Sequence, residues 1–440
     1  MKLSSEQISV LAAFRKGENI FLTGPGGTGK TYLIKEIHEI AKKTDKNIQI
    51  CAMTGCASVL LNCENTKTLH SWSGIGLANG KIEDIIERVA KNYHKAKPWK
   101  NVDILVVDEV SMMSKKIFDL LNSLGKRIRR EYTKPFGGIQ IVFSGDFYQL
   151  PPVGNEDEPD TMSFCFESSE WNNVFKQNIN LTKIFRQKDD VYCKILNQIR
   201  VGRLTKSSYE RLNNRIIQYK VEEKDAVIPT ILMAKRKDVQ IINQRELKKL
   251  EGDTKTYELS RRDDLEVTSK KDESIHFPRS QYDNEWKYLE SNINAEKTLV
   301  LKIGTQVMCV TNLDMESPYP IVNGSQGIVT SFVNNWPMVK FNDGQTRLIG
   351  PHDWVSENCK KIGVRQIPLI HAWAITIHKS QGATLDLVEL DAGNSIFECG
   401  QTYVALSRVK SLGGLYLKAF NPQKIKIYKK VQDFYKSIMI

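Results

Sequence analysis

The residues best suited to chemistry form a glycine-rich segment close to the N-terminus. The segment matches the pattern Gly-x-x-x-x-Gly-Lys-Ser/Thr, and its members are Gly24, Pro25, Gly26, Gly27, Thr28, Gly29, Lys30 and Thr31. Glycines permit a tight loop whose backbone amides converge on phosphate oxygens, and a following helix presents its positive N-terminus to the same anion. In such a loop Lys30 bridges the β- and γ-phosphates and Thr31 places its hydroxyl on Mg²⁺. The segment therefore predicts a phosphate-binding loop for ATP.

A pair of adjacent carboxylates is the second candidate group. Asp108 and Glu109 follow the apolar run Ile104–Val107, so a buried strand would deliver both side chains at its C-terminal end. That end is the usual ligand crevice of an open α/β sheet. Beside a phosphate-binding loop, we expect Asp108 to hold Mg²⁺ and Glu109 to orient or deprotonate the attacking water.

A polar loop after another apolar run completes the set. Residues 143–152 read FSGDFYQLPP, in which two prolines close the loop. Gln149 can hydrogen-bond the γ-phosphate or its attacking water and so report hydrolysis, and Asp146 can orient neighbouring polar groups. Taken alone, the segment is equally compatible with a polar turn that has no catalytic role.

The elements that must position these residues alternate between strands and helices. Apolar runs lie at Asn19–Thr23, Ile48–Thr54, Ile104–Val107 and Ile139–Ser144, and a helical pattern over Tyr32–Ala41 follows the glycine-rich segment. Helix-length segments separate the runs. This alternation predicts a parallel sheet covered by helices on both faces.

A second α/β pattern begins near Leu181. Its runs and helical pattern are Ile231–Ala234, Val239–Leu250, Pro368–Ile377, Leu387–Asp391 and Gly414–Phe420. Between its halves, short alternating runs from about Thr298 to Leu348, with the turn Asn342-Asp343-Gly344, predict a small β-barrel-like insertion. The charged, weakly periodic segment Glu251–Glu296 predicts a loop-rich connection.

Composition and charge limit the classes of protein. The chain has 440 residues, enough for more than one domain, and 63 basic against 51 acidic residues give a formal net charge of +12. This balance suits a phosphate-bearing partner or an anionic membrane surface. No secretion signal and no run of about 18 apolar residues is visible, so we expect a non-secreted, intracellular protein without a spanning helix. The 8 cysteines lack paired spacing, which indicates reduced thiols.

The terminal stretch Ile425–Ile440 allows two interpretations. Its apolar and basic residues fit a helix that packs on the protein, and they also fit an amphipathic helix on a membrane surface. The sequence leaves this choice open.

Together these segments resemble the PIF family of DNA helicases, within the 5′-to-3′ branch of superfamily 1 that also includes RecD-like motors. The resemblance covers nearly the whole chain. Its motifs are Gln7, GPGGTGKT at 24–31, AMTGCASVLL at 52–61, TLHSWSGIG at 68–76, VVDEVSMM at 106–113, FSGDFYQLPPV at 143–153, LTKIFRQ at 181–187, IHAWAITIHKSQGATLD at 370–386 and QTYVALSRVKSLGGL at 401–415. The stretch Ile117–Gly138 resembles the segment that separates this family from its RecD-like relatives.

The resemblance implies an α/β fold of P-loop NTPase type, with two RecA-like parallel-sheet lobes, a small inserted SH3-like β-barrel and a short wedge insertion. The first lobe, with the ATP site, would cover residues 1–180 and include the wedge at about 74–100. The second lobe would cover 181–297 and 365–440, and the barrel 298–364.

The resemblance also implies further residues around ATP. Gln7 is expected to contact the adenine, and Arg186 and Arg408, from the second lobe, are expected to reach the γ-phosphate. Gly382 is expected near the phosphates. An arginine supplied in this way stabilises the charge of phosphoryl transfer.

Contacts with single-stranded DNA are implied at seven positions, which are Thr54, Gly55, His70, Ser71, Thr376, His378 and Lys379. Small polar or basic side chains of this kind grip sugar and phosphate without reading base sequence. For Trp72 two interpretations stay open, a base-stacking residue and a buried core residue.

The resulting hypothesis is an ATP- and Mg²⁺-dependent 5′-to-3′ DNA helicase that acts in replication, repair or genome maintenance. Its expected partners are single-stranded DNA and duplex junctions, with RNA–DNA hybrids or structured DNA as further substrates. No membrane partner is expected, and the protein is expected to be a monomer.

Two alternatives stay open. One is a helicase of RNA or RNA–DNA hybrids, since contacts to the backbone do not reveal whether a 2′-OH is tolerated. The other is an ATP-dependent nucleotide switch without unwinding. Nucleus, viral replication site, mitochondrion and bacterial cytoplasm all remain open as compartments.

Overall fold

The computed structural model describes most of the chain and divides into two compact units. The described residues are 3–61, 63, 66–76, 78–185, 189–219, 227–266, 278–314, 320–356, 359–377, 379–381, 383–393 and 396–438, without the side chains of residues 56, 59, 60 and 292. The first unit consists of Met1–Leu204, Glu398–Tyr403 and Ile425–Ile440, and the second of Thr205–Phe397 and Val404–Lys424. The domain boundaries expected from the family resemblance stay predictions.

A parallel sheet forms the centre of the first unit. Its strands, within the described residues, are β1 (Ile20–Thr23), β2 (Ile48–Ala52), β3 (Lys67–Thr68), β4 (Ile104–Asp108), β5 (Gln140–Gly145) and β6 (Gln177–Asn180). They lie in the order β3-β2-β4-β5-β1-β6, and every neighbouring pair is parallel. The helices of this unit are α1 (Ser5–Arg15), α2 (Lys30–Lys43), α3 (Gly55–Leu61), α4 (Leu69–Ser73), α5 (Ile82–Ala90), α6 (Tyr93–Asn101), α7 (Lys115–Arg129), α8 (Trp171–Val174), α9 (Asp190–Arg200) and, from the end of the chain, α14 (Lys429–Ile438).

The central strands are apolar at every position because both faces of the sheet are covered. Strand β4 is buried throughout. Ile104 and Val106 pack in one hydrophobic cluster, whereas Leu105 and Val107 pack in another. The alternation follows from the two-residue period of a strand, whose successive side chains point to opposite faces. Continuous apolar runs are therefore what a doubly covered parallel sheet requires.

The stretch Ile117–Gly138 forms most of helix α7 and a tight turn packed against it. The Phe136 amide donates a hydrogen bond to Asn122 Oδ1 at 2.8 Å, and the Phe136 ring is fully buried. The backbone of Gly137 approaches α7 so closely that a Cβ there would lie 2.4 Å from the Gly125 carbonyl oxygen. Glycine is the residue that this approach allows.

The second unit contains another parallel sheet. Its strands are β7 (Thr230–Met233), β18 (Ala374–Thr376), β19 (Val388–Ala392) and β20 (Leu415–Phe420), in the order β18-β7-β19-β20. Its helices are α10 (Lys206–Asn213), α11 (Arg236–Lys249) and α12 (Tyr282–Asn292). Helix α13 (Gln401–Leu406) is divided between the units, because the boundary falls between Tyr403 and Val404. The predicted α/β fold with two parallel-sheet lobes is confirmed.

Antiparallel strands occupy the inserted region of the second unit. They are β8 (Lys255–Glu258), β9 (Ser260–Arg262), β10 (Thr298–Leu301), β11 (Gln306–Cys309), β12 (Gln326–Val333), β13 (Trp336–Phe341), β14 (Thr346–Leu348), β15 (His352–Val355), β16 (Gly363–Gln366) and β17 (Leu369–His371). In place of the expected barrel, the described strands form an open sheet, β14-β13-β12-β11-β17, whose edge strands do not pair with each other. The remaining strands form the separate sheets β15-β16-β9 and β10-β8. The apolar pattern predicted strands here. Whether a sheet closes into a barrel depends on which strands pair at its edges, and the pattern along the sequence does not show this.

Two further expectations were wrong in detail. The run Pro368–Ile377 is not one strand, because β17 pairs antiparallel with β11 while β18 pairs parallel with β7. The segment Glu251–Glu296 is not merely a loop-rich connection, since it contributes β8, β9 and α12. Both of its strands pair with partners outside the segment, β10 and β16, so its own periodicity gave little sign of them.

The C-terminal helix α14 packs into the first unit. Val431 and Tyr435 are buried, and the Phe434 ring stacks on Phe166 with centroids 4.3 Å apart. Of the two interpretations of the terminal stretch, the packed helix is the one that the structure has. Among the described residues, none of the helices combines the length and the apolar character that spanning a membrane requires.

The described cysteine side chains are all free thiols, as the spacing predicted. Most of those that are buried, such as Cys51 and Cys165, lie among hydrophobic core residues. Burial raises the pKa of the Cys309 thiol to about 11. Burial raises the pKa of the Cys51 and Cys165 thiols as well, so these three thiols are protonated at neutral pH and act as small core side chains.

Gly137→Ala is expected to destabilise the protein more than Gly138→Ala. Both glycines have a left-handed backbone, with φ of +66° and +80°, so both substitutions carry the conformational cost of about 1–2 kcal/mol. At Gly137 the new methyl group would also meet the Gly125 carbonyl oxygen at 2.4 Å, whereas at Gly138 the nearest atom is Lys134 Cδ at 3.5 Å. We expect a further loss of about 2 kcal/mol at Gly137, measured as the free energy of urea unfolding. Equal losses for the two variants would contradict the close approach.

Candidate nucleotide-binding site

Four loops leave the parallel sheet of the first unit at one edge. In the register of the sheet Thr23 pairs with Gly145, and Ala52 pairs with Asp108. These residues end β1, β5, β2 and β4, which are neighbours in the sheet. The loops that follow them therefore begin side by side, at the edge where open α/β sheets bind ligands.

The phosphate loop, Gly24–Thr31, connects β1 to helix α2. Helix α2 begins at Lys30, and Gly29 before it adopts φ of +87°, a conformation that glycine accommodates without a Cβ clash. The Thr28 hydroxyl donates to the Pro25 carbonyl oxygen at 2.9 Å and closes the loop on itself. The loop thus stands at the N-terminus of a 14-residue helix, where amide groups and the helix dipole favour an anion.

Lys30 lies over the phosphate loop. Its ammonium group donates to the carbonyl oxygens of Gly24 at 2.8 Å and Pro25 at 3.1 Å. Burial lowers the pKa of Lys30, and the carboxylates of Asp146 and of the Asp108–Glu109 pair act in the opposite direction. A phosphate group would add negative charge beside this partly dehydrated cation, so the arrangement suits binding of a phosphate.

The predicted carboxylate pair ends β4 at the same edge. The Asp108 carboxylate is buried and accepts a hydrogen bond from the Glu109 amide at 2.9 Å. Burial raises the pKa of Asp108, while the Ser144 hydroxyl and Lys30 act to lower it. Glu109 is half-buried and has a left-handed backbone with φ of +57°, which is uncommon for a residue other than glycine. Strained residues of this kind cluster at functional sites.

The oxygen atoms at this edge fit a magnesium ion. Mg²⁺ prefers oxygen ligands and is usually bound by one or two protein groups together with water and substrate phosphates. Thr31 in the first turn of α2 and Asp108 at the end of β4 offer a hydroxyl and a carboxylate. A cation would also offset the unfavourable burial of the Asp108 charge. In the described part of the chain, no group of three or more His, Cys, Asp or Glu side chains could hold a metal ion. Water and the phosphate oxygens of a nucleotide are the usual further ligands of Mg²⁺ at such a site.

The Gln149 loop, defined here as Asp146–Gln149, follows β5. Its turn is held by Asp146, whose carboxylate Oδ1 accepts from the Tyr148 amide at 3.2 Å and whose carbonyl oxygen accepts from the Gln149 amide at 2.9 Å. Arg200 donates to both oxygens of the same carboxylate, at 2.8 and 2.9 Å. These contacts fit the expectation that Asp146 orients neighbouring polar groups.

Gln7 lies beside the phosphate loop. It is buried in α1, where its side-chain oxygen accepts from the Ser4 amide at 3.0 Å and so caps the helix. Its side-chain nitrogen lies 3.5 Å from the Thr28 carbonyl oxygen. The side chain therefore links the start of α1 to the loop, and its expected contact with adenine stays a prediction.

The four residues of the first unit expected to contact DNA follow β2 and β3 at the same edge. The Thr54 hydroxyl oxygen accepts from the Ala57 amide at 3.2 Å, at the start of α3, which begins at Gly55. His70 and Ser71 lie in α4 and are half-buried. Burial lowers the pKa of His70, which favours its neutral form. Their expected role in DNA binding stays a prediction.

Trp72 is a core residue. Its ring is only 5% exposed and packs on Trp99, with centroids 4.7 Å apart. The Trp99 indole donates to the Ser73 carbonyl oxygen at 3.0 Å. Of the two interpretations of Trp72, the structure supports burial and leaves little surface on which a base could stack.

In the second unit, two residues expected to contact DNA lie at the end of strand β18 and just after it. Thr376 ends β18, and its hydroxyl oxygen accepts from the Lys379 amide at 3.1 Å. Arg408, expected at the γ-phosphate, is buried and donates to Val404 O at 2.9 Å and Ser407 Oγ at 2.7 Å. These roles stay predictions.

Three expected site residues, Arg186, His378 and Gly382, lie outside the described residues. Their roles stay predictions as well.

Three residues without a predicted role contact the loops of the site. An amide of the phosphate loop, that of Gly26, donates to the Tyr403 hydroxyl at 3.0 Å. Tyr435 and Arg200 contact Asp146 in the Gln149 loop. Tyr403 belongs to the motif QTYVALSR, which could have indicated it. Arg200 and Tyr435 lie in helices without a motif, so only the fold reveals them.

A parallel sheet with a glycine-rich phosphate loop after one strand and paired carboxylates after a neighbouring strand defines a P-loop nucleotide-binding protein. The family model described as PIF1-like helicase matches residues 2–210, and the model described as DNA helicase Pif1, 2B domain, matches residues 287–332. The chain belongs to the PIF1-like helicase family, and the resemblance seen in its motifs is confirmed.

Relatives of known name are similar to the chain over almost its whole length. The ATP-dependent DNA helicase PIF1 of Danio rerio is 35% identical over 445 residues, which cover 99% of this chain and 64% of that protein. The crystal structure of Pif1 helicase from Candida albicans is 34% identical, with a TM-score of 0.76 and full coverage of both chains. That of Pif1 helicase from Bacteroides with ADP-AlF3 and single-stranded DNA is 27% identical, with a TM-score of 0.66 over 100% of this chain and 98% of that one. The chain thus spans less than two thirds of the length of the Danio rerio relative.

Asp108→Asn is expected to remove most of the effect of Mg²⁺ on nucleotide affinity. The amide keeps the size of the side chain but loses the charge that would hold the cation. Titration of a fluorescent ATP analogue with Mg²⁺ or EDTA should show that the Mg²⁺-dependent gain in affinity falls about ten-fold, or about 1.4 kcal/mol. Asp103→Asn is the control, since Asp103 precedes the same strand and accepts from the Asn47 amide at 2.9 Å. An unchanged Mg²⁺ effect in Asp108→Asn would contradict the assignment.

Proposed function

We propose that this chain is an ATP-driven 5′-to-3′ DNA helicase, which translocates on single-stranded DNA and unwinds duplex or structured DNA. The observation that carries the proposal is the convergence of Lys30, the Asp108–Glu109 pair and the Gln149 loop at one edge of a parallel sheet. Likeness to proteins named as ATP-dependent DNA helicases supports it. The polarity rests on the family resemblance alone.

Each group at the sheet edge has a task in the proposed hydrolysis of ATP. The amides of the phosphate loop and Lys30 bind the β- and γ-phosphates. Thr31 and Asp108 would hold Mg²⁺, which neutralises the charge on the phosphate oxygens. Glu109 orients the attacking water and accepts its proton, and Gln149 hydrogen-bonds the same water or the γ-phosphate.

Further residues are assigned to ATP by the family resemblance. Gln7 is proposed to contact the adenine, Arg186 and Arg408 the γ-phosphate, and Gly382 is proposed to lie near the phosphates. An arginine that neutralises charge on a transferred phosphoryl group contributes strongly to the rate of such reactions.

Contacts with single-stranded DNA are proposed in each unit. They are Thr54, Gly55, His70 and Ser71 in the first unit, and Thr376, His378 and Lys379 in the second. The net charge of +12 supports a phosphate-bearing partner, and the Bacteroides relative was solved with single-stranded DNA. Helices α5 and α6 fall in the predicted wedge at about 74–100, which we propose separates the duplex.

The proposed partners are single-stranded DNA and duplex junctions, with RNA–DNA hybrids as further substrates. We propose that the protein acts as a monomer inside a cell, in replication, repair or genome maintenance. The alternatives are a helicase of RNA and a nucleotide switch without unwinding. Each of them predicts a different dependence of ATP hydrolysis on nucleic acid from that of a DNA helicase.

Hydrolysis of ATP by the unaltered chain is expected to rise strongly with single-stranded DNA and to vanish in Lys30→Ala. Removing the ammonium that faces the phosphates should lower the turnover about a hundred-fold or more, as loss of a group that stabilises transition-state charge does. The measurement is phosphate release with and without single-stranded DNA. Lys35→Ala is the matched control, because Lys35 lies on the same helix and is exposed.

The outcome also separates the alternatives. Hydrolysis that is indifferent to nucleic acid would contradict the motor and favour a nucleotide switch. Stronger stimulation by RNA than by DNA strands of equal length would favour an RNA helicase. Unwinding of duplexes with a 5′ tail but not with a 3′ tail is expected, and the reverse would contradict the polarity.

Lys379→Ala is expected to weaken binding of single-stranded DNA to a similar extent for all base sequences. A lysine that contacts phosphate releases counterions on binding, so its loss should reduce the slope of log affinity against log salt by about 1. Fluorescence anisotropy over a range of salt concentrations measures this slope. Lys418→Ala in the same unit is the control, because Lys418 pairs with Glu389 at 2.8 Å. An equal slope in both variants would contradict a phosphate contact at Lys379.

A further inference from the structure

One tyrosine of the C-terminal helix α14 contacts both the end of strand β1 and the Gln149 loop. The Tyr435 hydroxyl lies 2.6 Å from Thr23 Oγ1, and Thr23 is the residue directly before the phosphate loop. The same hydroxyl accepts from the Phe147 amide at 3.1 Å and donates to Asp146 Oδ1 at 3.3 Å. Tyr435 is 2% exposed. A single buried hydroxyl therefore bridges the end of β1 and the Gln149 loop.

Arg200 of helix α9 holds the other side of the Gln149 loop. Its guanidinium pairs with both oxygens of the buried Asp146 carboxylate. It also lies over the rings of Tyr148 and Tyr435, 4.6 and 5.3 Å from their centroids. The two rings stack on each other at 4.6 Å. A buried ion pair tolerates little displacement, because each charge has lost its water and depends on its partner.

The position of this cluster relates it to hydrolysis. Asp146 supports the turn that carries Gln149, and Asp146 also acts on the charge of Lys30 in the phosphate loop. The hydrogen bonds of Tyr435 therefore fasten the start of the Gln149 loop to the residue directly before the phosphate loop. In the proposed mechanism Gln149 acts on the attacking water, so a displacement of its loop affects the chemical step more than the binding of ATP.

We infer that Tyr435 is a positioning residue for ATP hydrolysis, whose hydroxyl fixes the Gln149 loop relative to the phosphate loop. The inference rests on the proposed function. By this inference, helix α14 contributes to ATP hydrolysis in addition to packing in the core of the first unit. Nothing in the motifs of the chain assigns a role to this helix.

Tyr435→Phe tests the inference, because it removes the hydroxyl and keeps the stacked ring. The kcat of DNA-stimulated ATP hydrolysis is expected to fall about ten-fold, which corresponds to about 1.4 kcal/mol. The KM for ATP is expected to stay within about two-fold, since the phosphate loop still binds the nucleotide. Tyr428→Phe is the matched control: Tyr428 lies in the same terminal segment, and its hydroxyl donates to Glu398 Oε1 at 2.9 Å. Its kcat should equal that of the unaltered chain.

A double variant separates positioning from general stability. If Tyr435 acts through Gln149, then Tyr435→Phe combined with Gln149→Ala should have nearly the kcat of Gln149→Ala alone. A loss of stability would lower the unfolding temperature without producing this non-additivity, provided that the assays run well below that temperature. Losses that multiply in full would overturn the inference.

Thr23→Val provides a second route, because it removes the partner of Tyr435 at the end of β1 and keeps the shape of the side chain. Its kcat is expected to fall as in Tyr435→Phe, and it decides the matter if Tyr435→Phe does not fold. Unchanged kcat in both variants would overturn the inference and leave the proposed function intact. Absence of ATP hydrolysis in the unaltered chain would overturn both.

Discussion

Parallel strands present their carboxyl ends at one edge of a sheet, and in the first unit β1, β5, β4 and β2 are immediate neighbours. The phosphate loop, the carboxylate pair and the Gln149 loop meet for this reason. The register is held by side chains on both faces, since successive residues of β4 enter different hydrophobic clusters. A slip by one residue would exchange the two sets of side chains and turn Asp108 away from its position beside Ala52. Apolar packing far from the loops thus sets the geometry of their polar groups.

The polar groups at this edge are themselves buried, and this makes their arrangement specific. Arg200 and Asp146 are 6% and 0% exposed, so neither charge can exchange its partner for water. Leaving one of them unpaired would cost several kcal/mol. The raised pKa of Asp108 and the lowered pKa of Lys30 have the same origin, since burial disfavours both charges. A nucleotide with its cation would bring the opposite charges that both side chains need.

Local patterns were sufficient for much of the fold and for the centre of the site. Glycine spacing identified the phosphate loop, and apolar runs identified β1, β2, β4 and β5, because these signals lie within a few neighbouring residues. The pairing of β8 with β10 and the division of Pro368–Ile377 between two sheets were missed, since both depend on strands distant in sequence. Arg200 and Tyr435 were missed for the same reason. Helical periodicity marks such residues as core, and only the folded chain shows which polar groups they meet.

The contact between Thr23 and Tyr435 joins residues 412 positions apart, and the whole second unit lies between them in the sequence. On the ribosome the strand that leads into the phosphate loop is made early, whereas the helix that completes its surroundings is made after the second unit. Closing so long a loop is slow compared with forming local structure. We therefore expect the first unit to be completed only after the second has been synthesised. Until then the hydrophobic surface around Phe21 and Trp171, which α14 covers in the folded chain, would stay exposed, and exposed surface of this kind is what chaperones bind.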